Sequence, residues 1–386
     1  MVANASWAVA LEHATDQVMA PGDPPPDVVL LFASPAYGEA FDQLLRATRE
    51  RTRAGILVGC SASGFLAGPD EVEDQPGLAL MALWLPGATL APVRFHQEHL
   101  DLLDEPNTWA ELHGVNLAGI NAWLVFAEPY RVDTHALLQS LQRACPGASI
   151  MGGMASGMIA ERRSCVFFDG HWYDEGAVAL GIGGPYSLRA QVSQGCEPVG
   201  ETWTITGVDR NVVLGISNRP AVDVLHDTVT ALPGNQRQRA QHNLVVGLAV
   251  NEYRDAFRRG DFVVRGILGL DPARGAIALG GKPRVGQTLQ FHLRDAAAAA
   301  ADMVAMLERA APLPGQAPVA ALLCTCDGRG HALFGVANHD AGLASRALGK
   351  VPLVGAFCIG EIGPLGGQTV LHGFTATLGL LCHEPG

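Results

Sequence analysis

The residues best suited to bind a charged ligand lie in one polar turn at the end of an apolar stretch. The run VAALLCTC is followed by Asp327, Gly328, Arg329 and Gly330. The guanidinium of Arg329 has the two-pronged geometry that holds a carboxylate, and Asp327 could hold an ammonium group. Alternatively, Arg329 pairs with Asp327 or another acid, and the turn is structural. The turn therefore indicates either a binding site or an internal ion pair.

Glu361 is the second charged candidate, because it interrupts the apolar segment AFCIGEIGP. A carboxylate in such a segment is costly to bury unless a partner stabilises it. That partner could be a ligand amine or Arg329; alternatively, Glu361 is an exposed loop acid. One cation and one anion a short distance apart would suit an amino acid or a similar zwitterion.

Thiol chemistry is the alternative, because Cys60, Cys358 and His372 are available. A nucleophilic cysteine needs a base and an orienting group within reach, but cysteine is also a common buried apolar residue. Ser61 and Ser63 lie in CSASG, which does not match the GxSxG nucleophile elbow of hydrolases. A cysteine-dependent hydrolase or transferase is thus a second hypothesis. A histidine beside Cys60 or Cys358 in an open pocket would favour it.

The spacing of the cysteines does not favour a metal site, and the spacing of the glycines does not favour a nucleotide site. The Cys-x-Cys pair that ends at Cys326 lacks the second close pair of ligands that zinc sites usually have. The glycine loops have neither the GxGxxG spacing nor a following Gly-Lys-Ser/Thr. The eight cysteines are scattered through a large chain, which in a cytosolic protein indicates free thiols. We therefore predict a reduced protein with no metal and no cofactor.

Three glycine-rich loops follow predicted strands, at Gly59–Gly64, Gly152–Gly157 and Gly355–Gly360. Glycine lets the backbone turn sharply and approach a ligand with free N–H groups. Ligands of α/β sheets usually lie beyond the carboxyl ends of parallel strands. The alternative is tight packing between repeats without a ligand. The predicted ligand-contacting residues are Ser34, Cys60, Ser61, Ser63, Gly64, Ser156, Cys326, Asp327, Arg329, Cys358, Glu361 and His372.

The elements that carry the first two loops form an internal repeat. Segment 28–64 begins VVLLFASP and ends GILVGCSASG, and segment 121–157 begins NAWLVFAEP and ends ASIMGGMASG. In each, a continuous apolar run predicts a buried strand, and leucines at helical spacing predict a helix. A second short strand then enters the glycine loop. A strand-helix-strand crossover favours parallel pairing with a right-handed connection.

The C-terminal third carries a further copy, in which LVGAFCIG at Leu353–Gly360 matches LVGCSASG at Leu57–Gly64. A fourth copy, weaker in pattern, is expected at Leu244–Leu279. We therefore predict an α/β fold of two domains, residues 25–215 and 216–386. Each domain would contain two strand-helix-strand-strand units with mixed sheets. The loops would converge on a cleft between the domains.

The net charge and the distribution of apolar residues disfavour two classes of binding partner, nucleic acid and membranes. The 386 residues carry a net charge of −12, which opposes nucleic acid and anionic lipid as partners. The first 27 residues lack the basic flank and apolar core of an export signal, and no apolar run approaches the length of a membrane span. We expect a cytoplasmic protein that binds neither nucleic acid nor membrane.

Two groups of motifs carry a resemblance to a known family. The segments FASPAYG, LVGCSASG and GPDEVEDQPGLALMALWLPG resemble the N-terminal domain of the FIST family (F-box and intracellular signal-transduction proteins). The segments CDGRGHALFG, LGKVPLVGAFCIGEIGP and LHGFTATLGLL resemble its C-terminal domain. The resemblance implies a sensory protein that binds a small ligand, for example an amino acid. It covers nearly the whole chain, about 25–381, so signalling would pass through a separate partner protein.

Three functions follow from these patterns. A sensory module would bind a small polar ligand in the interdomain cleft, with Arg329 and Glu361 as its charged contacts. A cysteine-dependent enzyme would use the same cleft, and an interaction scaffold would have no cleft at all. We favour the sensory module over the enzyme.

Overall fold

Three units of one architecture and one inserted antiparallel sheet make up the fold. The structure is a computed structural model that describes residues 1–100, 109, 112, 114–157, 164–254 and 256–384. The predicted mixed α/β fold with repeated strand-helix-strand units is confirmed. Among the described residues, no helix is both long and apolar enough to cross a membrane.

The first unit places two parallel strands in the middle of a sheet, with a helix connecting them. Its central strand is buried along its whole length, as the apolar run predicts. A two-stranded hairpin and an antiparallel strand complete the unit. The elements are β1 Val2–Ala3, α1 Trp7–Val18, β2 Val28–Ala33, a 3-10 helix Pro35–Ala40, α2 Phe41–Thr52, β3 Ile56–Ser61, β4 Gly64–Ala67, β5 Asp70–Glu73 and β6 Gly77–Leu83.

The second unit repeats this order, which confirms the predicted internal repeat. Gly59 in β3 and Gly152 in the second unit hold the same place. A Cβ atom on either would lie 1.8 Å from a carbonyl oxygen of the neighbouring parallel strand, so only glycine fits there. The described elements are β7 Thr89–Phe95, α3 Gln97–Leu100, β8 Ile120–Ala127, α4 Thr134–Ala144, β9 Ser149–Met154, β10 Val166–Phe168, β11 His171–Tyr173 and β12 Ala177–Gly183.

The third unit begins with β13, Tyr186–Gln194, and is then interrupted by a seven-stranded sheet whose strands all pair antiparallel. We call residues 196–294 the inserted sheet. Its elements are β14 Cys196–Asp209, β15 Val212–Ile216, β16 Arg219–Pro220, α5 Ala221–Ala231, α6 Gly234–Asn243, β17 Leu244–Ala249, β18 Phe262–Asp271, β19 Ala276–Leu279 and β20 Thr288–Arg294.

The expected fourth unit at Leu244–Leu279 is therefore wrong, and the second domain contains one unit instead of two. In the described part of these connections no helix joins β17, β18 and β19, and a connection as short as that between β18 and β19 permits only antiparallel pairing. The inserted sheet takes strands from both sides of residue 215. The domain boundary at that residue stays a prediction.

The third unit resumes after the inserted sheet. Gly355 lies opposite Leu323 in the same position that Gly59 and Gly152 occupy, and a Cβ atom there would again lie 1.8 Å from the facing carbonyl oxygen. The elements are α7 Ala296–Ala310, β21 Ala317–Cys326, α8 Gly330–Phe334, α9 His339–Leu348, β22 Leu353–Cys358, β23 Gly360–Leu365, β24 Gln368–Leu371 and β25 Thr375–His383.

The hairpins are exchanged between the units in a closed cycle. Strand β4 of the first unit pairs with β22 of the third, β10 of the second pairs with β3 of the first, and β23 of the third pairs with β9 of the second. Each unit therefore completes the six-stranded sheet of another. The glycine loops, which lead into these hairpins, must meet where the chain crosses from one sheet to the next.

One apolar core lies between the three sheets and collects side chains from all three units. Phe32 and Phe126, which the sequence repeat aligns, contact each other edge to face with ring centroids 5.3 Å apart. Fully burying one such side chain contributes roughly 1.5–3 kcal/mol. The core fixes the strands whose ends carry the predicted loops.

Candidate functional site

The glycine loops meet in a closed cluster of backbone contacts, which we call the turn junction (residues 61–64, 154–157, 326–330 and 357–361). The amide of Ser156 donates to the carbonyl of Ser61 over 3.1 Å, and the amide of Ile359 donates to the carbonyl of Met154 over 3.3 Å. These bonds link the second unit to the first and the third unit to the second. Two of the three links of the cycle are therefore the same amide-to-carbonyl contact.

The third link of the cycle passes through the hydroxyl of Ser156. The amide of Ser63 donates to Ser156 Oγ over 2.8 Å, and Ser156 Oγ donates to the carbonyl of Phe357 over 2.6 Å. Ser61 Oγ also donates to the carbonyl of Ser156, and Ser63 Oγ donates to Asp327 Oδ1 over 2.7 Å. Four of the predicted residues therefore lie together, in contact with one another.

The other small predicted residues have local structural roles. Ser34 accepts a hydrogen bond from the amide of Ala36 and so begins the 3-10 helix. Gly64 begins β4, where a Cβ atom would lie 2.7 Å from the ring of Phe357. Cys326 accepts from the amide of Gly328 in the polar turn.

The predicted thiols of Cys60, Cys326 and Cys358 lie in surroundings that suppress their ionisation. All eight cysteines are buried and free. Burial raises the pKa of the thiols of Cys60 and Cys326, whereas a reactive cysteine needs a lowered pKa. Cys358 Sγ donates to the carbonyl of Ala356, and no histidine is among its hydrogen-bond partners in the described residues. His372 is instead held near the carbonyl of Gly363, and burial lowers its pKa to about 3.

Arg329 is an internal ion pair, one of the two alternatives that its sequence position allows. Its Nε lies 2.6 Å from Asp340 Oδ2, and its Nη2 lies 3.0 Å from Asp340 Oδ1. Both side chains are 1% exposed. Burial alone would raise the pKa of Asp340, but Arg329 and His339 outweigh it and hold that pKa well below its usual range. Arg329 therefore presents one terminal nitrogen, Nη1, without a hydrogen-bond partner among the described residues.

Glu361 takes an apolar position of the repeat. The same register position is held by Phe65 in the hairpin of the first unit and by Val166 in that of the second. All three side chains are 0% exposed. The repeated fold therefore does not need a carboxyl group here.

The environment of Glu361 keeps its carboxyl group largely neutral at pH 7. Its Oε2 accepts from the amide and the hydroxyl of Thr375, over 3.1 and 2.7 Å, while Oε1 has no partner among the described residues. Burial raises the pKa of Glu361 to about 8, against the hydrogen bonds from Thr375. Asp327 raises this pKa further, and Arg329 lowers it.

An open cleft of about 440 Å³ lies elsewhere, where α4 and β24 face the inserted sheet. Its walls come from both halves of the chain. The lining residues are Asp133, His135, Ala136, Leu138, Gln139, Gln142, Leu248, Ala249, Val250, Val263, Arg265, Lys282, Arg284, Gln287, Gln368, Thr369 and Val370. None of the predicted contact residues is among them, so the polar turn and the open cleft are separate places.

Arg265 is the most buried charged residue of the cleft, at 9% exposure. Its Nη1 donates to the carbonyl of Val264 over 3.0 Å, and its Nη2 donates to the carbonyl of Leu371 over 2.9 Å. Burial lowers the pKa of Arg265 to about 10, against an opposing effect of Glu361. Arg265 is therefore charged at pH 7.

The charged residues at the rim of the cleft are already paired. Lys282 Nζ lies 3.0 Å from Asp133 Oδ2, and Arg284 Nη2 lies 2.9 Å from Glu252 Oε1. Burial, helped by Arg265, lowers the pKa of His135, which keeps this side chain neutral at pH 7. Arg265, by contrast, has no carboxylate within ion-pair distance among the described residues.

The cleft lies away from the place that the sequence predicted, because the glycine loops were expected to surround an opening. The hairpin exchange instead covers the carboxyl ends of the parallel strands with the neighbouring unit. The sequence signal for Arg265 was a single arginine inside the apolar run FVVRGIL. No described group of His, Cys, Asp and Glu side chains is arranged to hold a metal ion.

Comparisons with known proteins identify the family of this chain. The model of the FIST N domain matches residues 27–219, and the model of the FIST C domain matches residues 221–364. An uncharacterized protein of Mycobacterium tuberculosis is 36% identical over 376 residues, which cover 97% of this chain and 95% of that protein. An uncharacterized protein of Mycobacterium bovis is 36% identical over 362 residues, or 93% and 91% of the two chains. FIST domains are generally sensory domains of signal transduction, and this chain belongs to the FIST family.

Proposed function

We propose that this protein senses a small polar ligand, which binds in the cleft between α4, β24 and the inserted sheet. The observation that carries the proposal is Arg265, a buried guanidinium that lines an open cleft and has no carboxylate partner among the described residues. A buried charge is unfavourable unless it is paired. A ligand with an anionic group would pair with Arg265, and this one contact would supply a large share of the binding free energy.

The walls of the cleft suggest how binding would be transmitted. One wall, α4, belongs to the second unit, and β24 belongs to a hairpin that also carries Glu361. A ligand that touches both walls and the inserted sheet favours the arrangement in which they are closest, and so shifts the population of conformations. In this proposal the predicted contact residues of the turn junction respond to the ligand, and a separate signalling partner recognises the response.

An amino acid is one ligand that the family resemblance suggests. In the cleft, its carboxylate would face Arg265, and its ammonium group would compete with Lys282 for Asp133. Catalysis by a cysteine has weaker support, because the thiols are buried. Burial raises the pKa of Cys60, and the neighbouring Cys324 together with burial raises the pKa of Cys358.

A metabolite screen monitored by thermal unfolding tests the proposal. A ligand present at a hundred times its Kd stabilises the native state by about 2.7 kcal/mol, so hits raise the Tm. Gln139 is exposed and lines the cleft, so Gln139→Trp fills it and abolishes the shift. The matched control is Gln43→Trp on α2, an exposed glutamine of the first unit that leaves the cleft unchanged. The proposal fails if every hit shifts the Tm of Gln139→Trp and of Gln43→Trp equally.

A further inference from the structure

The balance of charge in the cleft defines the kind of ligand. Lys282 and Arg284 line it, but each already faces a carboxylate. Among the described lining residues, Arg265 is the one cation without such a partner. One negative charge is therefore missing to balance the charges of the cleft, although the whole chain carries a net charge of −12.

The donors of Arg265 indicate the shape of the missing group. A guanidinium has five N–H donors, and two of them are used by the carbonyl groups of Val264 and Leu371. About three donors are left for a ligand. A planar carboxylate accepts two parallel N–H bonds from a guanidinium, and it brings one negative charge. A phosphate group brings more negative charge than the cleft lacks.

Asp133, the carboxylate that lines the cleft, already has a partner on each of its oxygens. Asp133 Oδ2 is held by Lys282, and Asp133 Oδ1 accepts from the amide of Ala136 at the start of α4. Any ligand amine would have to displace one of these contacts. Leu248, Val250 and Val263 add apolar surface to the lining, which suits a hydrocarbon body.

We propose that the cleft binds a small monocarboxylic acid with an apolar body and no free ammonium group, its carboxylate held by Arg265. This inference rests on the proposed function and narrows it, because it favours an organic acid over an amino acid. Each methylene group that the cleft buries strengthens binding about fourfold, so a short unbranched acid is already a usable probe.

Three probes of nearly equal shape separate the contributions: hexanoate, hexanamide and norleucine (2-aminohexanoate). Their Kd values are measured by titration calorimetry at pH 7 and constant ionic strength, on the full chain. We expect hexanoate to bind at least tenfold more tightly than hexanamide, because only the acid pairs with Arg265. We expect norleucine to bind more weakly than hexanoate, and Gln139→Trp to abolish hexanoate binding while Gln43→Trp retains it.

The outcomes distinguish this inference from the proposed function. If hexanoate and hexanamide bind equally tightly, the cleft does not recognise the carboxylate. If Gln139→Trp then abolishes the binding of both probes, the cleft is still the binding site. Tighter binding of norleucine overturns the exclusion of an ammonium group. If no probe binds but the screen finds another class of ligand that Gln139→Trp abolishes, the inference is wrong and the proposed function stands. If neither probes nor screen give binding at the cleft, both are wrong.

Discussion

Arg329 at the turn junction and Arg265 in the cleft are both buried arginines, but their surroundings differ in one respect. Arg329 forms two hydrogen bonds to the carboxylate of Asp340, whereas Arg265 donates to two backbone carbonyl groups and faces an open cleft. The first charge is compensated inside the protein, and the second is not. The comparison shows that burial of a charge does not by itself identify a binding site. The presence or absence of a carboxylate partner within the protein distinguishes a structural arginine from a candidate ligand-binding one.

The largest expected effect on stability comes from replacing Arg329, the arginine whose charge is paired with Asp340. Arg329→Met leaves Asp340 buried without its partner, and breaking a buried ion pair in this way typically costs about 3–5 kcal/mol. We expect a loss of this size in the free energy of unfolding, measured by urea denaturation at pH 7.

The control for this loss removes both charges. The double variant Arg329→Met with Asp340→Leu leaves no uncompensated charge, so it should lose less stability than Arg329→Met alone. If the single variant is as stable as the native chain, the ion pair does not support the fold and Arg329 is again a candidate for ligand contact.

The next effect concerns Glu361, whose pKa responds to the turn junction and which in turn raises the pKa of Arg265. The folded-state pKa of about 8 is above the ordinary value for glutamate, so the folded state holds a proton that the unfolded state releases. Stability from this group is present at pH below about 4.3 and is lost as pH rises towards 8, at a slope of at most about 1.4 kcal/mol per pH unit.

The test compares the native chain with Glu361→Gln by urea denaturation between pH 5 and 8. Glutamine keeps the shape of the neutral carboxyl group, so the variant should gain relative stability as pH rises. His372 and His292, whose pKa values burial lowers to about 3 and 4, contribute the opposite slope to both proteins and cancel in the difference. A difference that does not change with pH would show that Glu361 is ionised in the folded state.

The sequence predicted the parts of the fold that depend on local pattern. Gly59, Gly152 and Gly355 could be aligned because each strand must pass close to its neighbour's backbone, which leaves glycine at one fixed place. The exchange of hairpins left no such pattern, because pairing between β4 and β22 joins residues almost three hundred positions apart. The inserted sheet was missed because short apolar strands resemble those of the repeat.

The residues of the candidate site also differ in whether the sequence could predict them. The polar turn at Asp327 was visible as a change in residue type, and the ion pair of Arg329 was one of its two stated alternatives. Arg265 could not be selected from the sequence, because its role depends on which carboxylates lie near it in three dimensions. The partners of Lys282 and Arg284 are likewise 149 and 32 positions away from them along the chain.

The smallest effect on stability is expected from Arg265→Met, the same substitution applied to the uncompensated arginine. Removing Arg265 relieves the desolvation of a charge without leaving a paired carboxylate behind, which offsets the loss of two hydrogen bonds. We expect the free energy of unfolding to change by no more than about 1–2 kcal/mol, well below the loss in Arg329→Met. The preference for hexanoate over hexanamide should disappear in the same variant, because the apolar lining of the cleft is kept while its charge is removed. If Arg265→Met is as unstable as Arg329→Met, and hexanoate is still preferred wherever the fold persists, then Arg265 is a structural residue and the contrast between the two arginines does not hold.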